Sequence, residues 1–326
     1  MGEVGVLALL ITSILYCQAR KATNEPLFTA ALRLLDKISK QDIINEYQPQ
    51  GTTMTVKETF YKLNSQFGRE VETYLKANPS LIDNMYVKGF RRFFSNKVLV
   101  HINYTNFKLI YDYFFKEKDK SMNILDLGAG LGDKTFILKG IFKKSKIYGV
   151  ETVNFDDPHH IKDPPDAVFN HFYPFFKKKF DINLSLYDGI NLKFPDEHFD
   201  IIFLYAVIEH IAPEKRKKFI KEISKKLKKN GYIVITKCPR KYSLTEFVAR
   251  ILKLGGHPWL LSKDDLLELF DDKVFDNVFL RSVSNIPSNP HNIIQKISFI
   301  LIPIDYTLQF IHWPFASDYF LIEKKK

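Results

Sequence analysis

Asp126, Gly128, Gly130 and Gly132 stand at alternate positions of the run Asp126-Leu127-Gly128-Ala129-Gly130-Leu131-Gly132, directly after the apolar pair Ile124-Leu125. Glycine lacks the Cβ that keeps a ligand away from the backbone, and it permits the φ > 0 turn that leads from a strand into a helix. That helix follows over 135–142, where Phe136, Ile137, Ile141 and Phe142 recur at helical spacing and its N-terminal amides point back into the turn. A dinucleotide fingerprint needs glycine at the first, third and sixth positions, and the sixth position here is Asp133, whose charge repels a pyrophosphate. Asp126 beside the turn suits a ligand that carries positive charge there, such as an amino-acid ammonium.

Two further carboxylates follow at the ends of apolar runs. Lys146-Ile147-Tyr148-Gly149-Val150-Glu151 reads as a second buried strand, and Glu151, about 20 residues beyond the glycines, has the reach to accept hydrogen bonds from a ribose diol. Ile182 to Tyr187 reads as a third strand closing on Asp188-Gly189, and Ile201 to Ala206 as a fourth. Ligands of an open parallel sheet sit outside the carboxyl ends of its strands, so acids ending three successive strands converge on one crevice.

The arrangement resembles the class I S-adenosylmethionine-dependent methyltransferases, within them the small-molecule, type 11 group. The resemblance rests on Asp126 to Gly132, Glu151, Asp188-Gly189, the stretch Leu192 to Asp200, Ile208-Glu209-His210-Ile211 and Leu227 to Tyr232. It covers 121–240 well and the remainder to the C-terminus more loosely. It implies an α/β fold, a doubly wound, seven-stranded, mostly parallel Rossmann-like sheet with its last strand antiparallel, for which Ser317 to Lys324 is the candidate. It implies S-adenosylmethionine as cofactor, with Asp126 near the methionine ammonium, Gly128, Ala129, Gly130 and Gly132 under the backbone approach, Glu151 on the ribose, Asp188 and Gly189 at the adenine, and Tyr205 also lining the site.

Methyl transfer from a sulfonium expels a neutral thioether, so positioning and water exclusion carry most of the acceleration. A hydroxyl acceptor adds the need for a base, and His210 after strand four and His257 in Gly255-Gly256-His257-Pro258-Trp259 are the candidates. The turn holding His257 precedes a helix start at Ser262-Lys263-Asp264-Asp265. Some relatives with an acid-histidine pair like Glu209-His210 bind magnesium through a further Glu three residues earlier. Ala206 holds that place here, so no metal is expected. Asp156-Asp157-Pro158-His159-His160 reads as a solvated loop near the cofactor.

The chain of 326 residues, 45% apolar and 14% aromatic, can bury one α/β core and carry an accessory region besides. Its two cysteines, Cys17 and Cys238, are far apart and outside any metal spacing, which fits a reducing, cytoplasmic setting. The formal charge of +11 owes much to Lys215-Arg216-Lys217-Lys218 and Lys225 to Lys229, lysine-rich stretches of a helix whose apolar stripe is Phe219, Ile220, Ile223 and Leu227. That is a solvated helix face, and no nucleic-acid partner is expected.

Helical periodicity in Leu27, Ala30, Leu34 and Ile38, and again in Phe107, Ile110 and Phe114, predicts a helical N-terminal region over 1–118 ahead of a methyltransferase domain over 119–326. Tyr47 to Thr53 is its expected flexible link. Two apolar segments stand out and offer peripheral membrane contact: Val4 to Tyr16, short for a span, which is a helix packed on its own protein, a membrane-dipping anchor or a start-site artefact, and Asn292 to Phe315, interrupted by Pro303. The latter is an extra core helix pair or a lid over a long apolar substrate, and a small or lipid-like acceptor, methylated on oxygen, follows from the second reading. The alternatives are a catalytically silent binding or membrane-docking module on the same scaffold and a nicotinamide-dependent dehydrogenase.

Overall fold

A computed structural model of the chain describes residues 55–152, 165–189, 191–243, 245–247, 257, 259–284, 286, 298–310 and 316–326. The readings placed on Val4 to Tyr16, Cys17, Leu27 to Ile38, the Tyr47 to Thr53 link and Asp156 to His160 lie outside these residues. So do both ends of the 292–315 segment.

Thr55 opens α1 (Val56–Ala77) through a capping box, in which its hydroxyl accepts from the Glu58 amide at 3.2 Å and the Glu58 carboxylate accepts from the Thr55 amide at 2.8 Å. Phe60, Phe67, Val71 and Leu75, spread over about four turns of the helix, are buried. Two more helices follow, α2 (Met85–Ser95) and α3 (Lys97–Tyr113), the latter capped by Asn96, whose side-chain oxygen accepts from the amides of Val98 and Leu99. The predicted periodicity of Phe107, Ile110 and Phe114 is that of α3 and its C-cap, and all three are buried.

The sheet is built from β1 (Asn123–Leu127), β2 (Lys146–Thr152), β3 (Asn183–Tyr187), β4 (Phe199–Tyr205), β5 (Leu227–Pro239), β6 (Phe275–Val283) and β7 (Asp318–Lys325), in the spatial order β3-β2-β1-β4-β5-β7-β6. Strands β1 to β5 pair in parallel, and β7 runs antiparallel between β5 and β6. This is the seven-stranded, mostly parallel sheet the sequence implied, with the last strand reversed at the expected place. Helices α4 (Asp133–Ile141), α5 (Pro165–Phe180) and α6 (Pro213–Lys226) are the crossovers after β1, β2 and β4. The short helix α7 (Lys263–Leu267) starts at Ser262 with the predicted capping box to Asp265. Central strand β1 is buried on both faces, as a parallel strand covered by helices must be.

The apolar segment around Pro303 forms one helix over its described part, α8 (Ser298–Phe310), with Pro303 inside it. It packs on α3: Ile302 joins Val98, Ile102 and Ile286, and Asp305 bonds His101. No helix among the described residues is long and apolar enough to cross a membrane.

Candidate active site

The carboxyl ends of β1, β2 and β4 meet at the glycine turn. Gly128, Gly130 and Gly132 all take positive φ, of 86°, 54° and 94°. A Cβ on Gly128 would lie 2.5 Å from Cγ2 of Val207, and one on Gly132 would lie 2.7 Å from Leu184 and 2.9 Å from Phe176, so conformation and space both demand glycine there. The amides of Gly128 and Ala129 donate to the Val150 carbonyl at 2.8 and 3.0 Å, which ties the turn to the end of β2.

Glu151 completes the cradle. Its Oε2 accepts from the Gly130 amide at 2.6 Å and its Oε1 from the Thr152 amide at 2.7 Å. The side chain is buried and its carboxyl is pushed up to about 7, by desolvation first and by the nearby Asp126 charge; the two amides pull the other way. Asp126 is buried at the base of the turn, accepts from the Thr135 hydroxyl at 2.6 Å, and is pushed up to about 6 by burial. Tyr173, from α5, donates to the Gly130 carbonyl at 3.2 Å.

Two buried acids in one cradle, both raised chiefly by desolvation, call for a ligand that brings hydrogen-bond donors and positive charge. A phosphate brings the opposite. S-adenosylmethionine, with its ribose diol, ammonium and sulfonium and without phosphate, fits this donor set. Asp188 stands differently: it is exposed, and its oxygens accept from the backbone amide and side-chain amide of Asn191 at 2.6 and 2.8 Å. Gly189 beside it takes a positive φ of 81°.

Beyond β4 the backbone turns sharply, with Ala206 at φ 55°, a left-handed conformation uncommon for alanine. The following turn, Ile208–His210, carries buried Glu209 and half-buried His210. His257 comes alongside: the two imidazole centroids are 6.0 Å apart, and a ligand atom from each of Glu209, His210 and His257 lies within 4.8 Å of the others. The two histidines picked out separately in the sequence are thus neighbours. Glu246 accepts or shares a proton with His257 Nδ1 at 3.0 Å; burial lowers the His257 pKa, but that bond and the Glu209 and Glu246 charges outweigh it and the net direction is upward. Sequence reasoning passed over Glu246, whose partner is 11 residues away and whose role no local pattern signals.

Tyr205, at the end of β4, is half-buried; its hydroxyl bonds Asn103 of α3, and its ring lies 4.9 Å from the Lys134 ammonium. Lys134 is buried, paired with Asp133, and 3.6 Å from the ring centre of Phe93. Around this ammonium lies a recess lined by Phe60, Phe67, Phe93, Phe94 and Phe107. Neither Lys134 nor Asn103 stood out in the sequence, because aromatics from three helices define their surroundings.

A family model described as a methyltransferase domain matches residues 100–279, more than half of the chain. Among solved structures, the chain is similar to a SAM-dependent methyltransferase from Archaeoglobus fulgidus, at 20% identity over 67% of this chain and 93% of that one, with a TM-score of 0.44. It is also similar to a SAM-dependent methyltransferase from Methanosarcina mazei, at 15% identity over 67% and 96%, with a TM-score of 0.45. Comparison by sequence with curated proteins finds no match.

Proposed function

Given that this chain belongs to the methyltransferase-domain family and that its cofactor is S-adenosylmethionine, we propose that it methylates an oxygen of a small or lipid-like acceptor. The observation that carries the reading is the 2.6 Å bond between Glu151 and the Gly130 amide, which closes a buried acidic cradle over the glycine turn. When bound, the cofactor supplies an electrophilic methyl group. Glu151 would hold the ribose hydroxyls through the lone pairs its two amide bonds leave over. Asp126 would face the methionine ammonium, and Asp188 would exchange its bonds with Asn191 for one from the adenine amine. Gly128, Ala129, Gly130 and Gly132 would lie under the ligand, with Gly189 and Tyr205 at its edges.

For the acceptor, the adjacency of His210 and His257 beside Val207, which packs on Gly128, supports a hydroxyl over a carboxylate. His210 or His257 would take the proton of the acceptor hydroxyl, and the bound cofactor would supply the methyl group to the oxygen so freed. The apolar helix α8 supports an acceptor with a substantial apolar part. A peripheral membrane approach through 4–16 or 292–315, from a cytoplasmic location, accords with such an acceptor.

Calorimetry with S-adenosylhomocysteine tests the cradle. Glu151→Ala and Asp188→Ala should each weaken binding at least tenfold, and unchanged binding in both would refute the assignment. Incubation of a lipid and metabolite extract with isotopically labelled S-adenosylmethionine should label an apolar hydroxyl compound. Retained cofactor binding with no labelled product would leave the silent binding module instead.

A further inference from the structure

The turn after β4 and the segment holding His257 are built toward each other with more care than a loop contact needs. Arg216 of α6 is buried, and its guanidinium donates to the carbonyl oxygens of Ile208 at 3.1 Å, Ile211 at 2.9 Å and Trp259 at 2.8 Å. One side chain therefore fixes the backbone on both sides of Glu209-His210 and two residues beyond His257. Glu246 bonds His257 Nδ1 and also lies 3.4 Å from the His257 amide, so it sets the ring's orientation as well as its position. With Nδ1 donating to that carboxylate, the Nε2 lone pair is the one left to bind something.

Glu209 supplies the second sign. It is 1% exposed, and its Oε2 is buried with no hydrogen-bond partner. A carboxylate oxygen without a partner costs the full desolvation of that group, and an ion is one of the few things that removes the cost. Its ligand atom sits within 4.8 Å of those of His210 and His257.

We propose that Glu209, His210 and His257 bind one divalent transition-metal ion of the zinc and cobalt type, with Glu246 orienting His257 and Arg216 bracing both ligand-bearing segments. Two imidazoles and one carboxylate form a nitrogen-rich set, which suits zinc, cobalt or iron(II) and not magnesium, an ion that prefers oxygen ligands. Ala206, the residue that could have added an oxygen from β4, adds none. Bonds of about 2.1 Å place tetrahedral ligand atoms about 3.4 Å apart, so the three groups need to close by about an ångström. Three protein ligands leave a fourth position open, the pattern of catalytic and not structural sites. Val207, two residues before Glu209, packs on Gly128, which brings the ligand-bearing turn close to the glycine turn. An acceptor hydroxyl held there would have its pKa lowered by the ion and would release its proton to solvent, with His210 and His257 acting as ligands in place of the base role in the preceding reading. This role rests on the methyltransferase reading; ion binding itself does not.

The test uses the full chain without a polyhistidine tag, stripped by dialysis against EDTA. Titration with Co²⁺ should give visible d–d absorption saturating at one equivalent, Zn²⁺ should abolish it, and elemental analysis should find one zinc per chain. Millimolar Mg²⁺ should leave the cobalt spectrum unchanged. Glu209→Gln and His257→Ala should each weaken Co²⁺ binding at least a hundredfold, and Glu246→Gln about 10–100-fold, the range for a group that orients a ligand. Each variant is checked for S-adenosylhomocysteine binding, which should persist and reports that the fold is intact. No cobalt spectrum in the parent chain, displacement by Mg²⁺, or full Co²⁺ affinity in both Glu209→Gln and His257→Ala overturns the site. Loss of S-adenosylhomocysteine binding in the parent with cobalt still bound would sink the methyltransferase reading and leave the metal site standing.

Discussion

Glu151 holds the glycine turn closed through its bonds to the Gly130 and Thr152 amides, and on the proposed reading it also receives the ribose. Burial pushes its carboxyl to about 7, so near neutral pH the free protein holds a mixture of the acid and the carboxylate. Ribose hydroxyls donate to the carboxylate and not to the acid, so binding draws on the deprotonated form and releases a proton from the rest. The sign follows. Affinity for S-adenosylhomocysteine should rise as pH is raised through about 7 and level off above it, falling by up to about tenfold per pH unit below. Asp126, pushed up to about 6, should add a second and lower inflection if it meets the ammonium. Calorimetric titrations across this range should show the trend in the parent, with proton release visible in buffers of different ionisation enthalpy, and the inflection near 7 should vanish in Glu151→Gln. A flat profile in the parent would mean that the carboxyl does not touch the ribose. At this scale the sequence was readable wherever function is written in local spacing. Asp126, the glycines and Glu151 lie within 26 residues of one another, and the strand-turn-strand geometry that joins them is short-ranged. Glu246, Arg216 and Lys134 were not readable, because their meaning comes from contacts 5 to 43 residues away or from aromatics on other helices.

Elements show the same division. The inner strands were legible as apolar runs ending in acids, because burial on both faces leaves few alternatives, whereas β7 as the closing antiparallel strand came from the family resemblance. Strand β5 starts at Leu227, and Asn230 takes a left-handed φ of 62° within it. The pairing register of β4 with β5 shifts between Phe199 and Ile201 to absorb the irregularity. Helix α8 was ambiguous between core and lid because apolar content does not say what covers it. Its described part settles against α3 through one polar contact: Asp305 accepts or shares a proton with His101 Nε2 at 2.8 Å and also accepts from Gln309 at 2.6 Å, with both members of the His101–Asp305 pair fully buried. The ring of Tyr306 meets His101 edge-on at 4.7 Å. His101 Nδ1 already lacks a partner, so removing Asp305 would leave the whole imidazole unsatisfied in the interior. Asp305→Ala should therefore cost about 2 kcal/mol of stability by denaturant unfolding, with Asp305→Asn losing less because it keeps an acceptor. Equal stability of the parent and both variants would show that α8 is not anchored to α3 through this pair.

At the scale of the molecule, the question is whether the helices ahead of β1 are an appendage or part of the fold. Thr53–Lys326 forms one compact unit. A boundary at 118 would pass between Phe114 and Ile124, which belong to the same hydrophobic cluster. Phe67 of α1 lies 5.0 Å from Phe136 of α4 and 5.6 Å from Phe176 of α5 between ring centres; Phe90 of α2 lies 5.5 Å from Phe172, and Phe114 lies 6.2 Å from Phe142. Asn103 of α3 also holds the Tyr205 hydroxyl at the end of β4. Removing 1–118 would open Phe136, Phe142, Phe172 and Phe176 to water. At about 2 kcal/mol for each buried aromatic this gives up about 8 kcal/mol, comparable to the net stability of about 5–15 kcal/mol of a whole domain. A chain beginning at Thr53 should accordingly unfold cooperatively and bind S-adenosylhomocysteine, whereas one beginning at residue 119 should lack a cooperative transition and expose apolar surface to a dye such as ANS. If the shorter chain folded and bound the ligand with parental affinity, α1 to α3 would be a detachable cap.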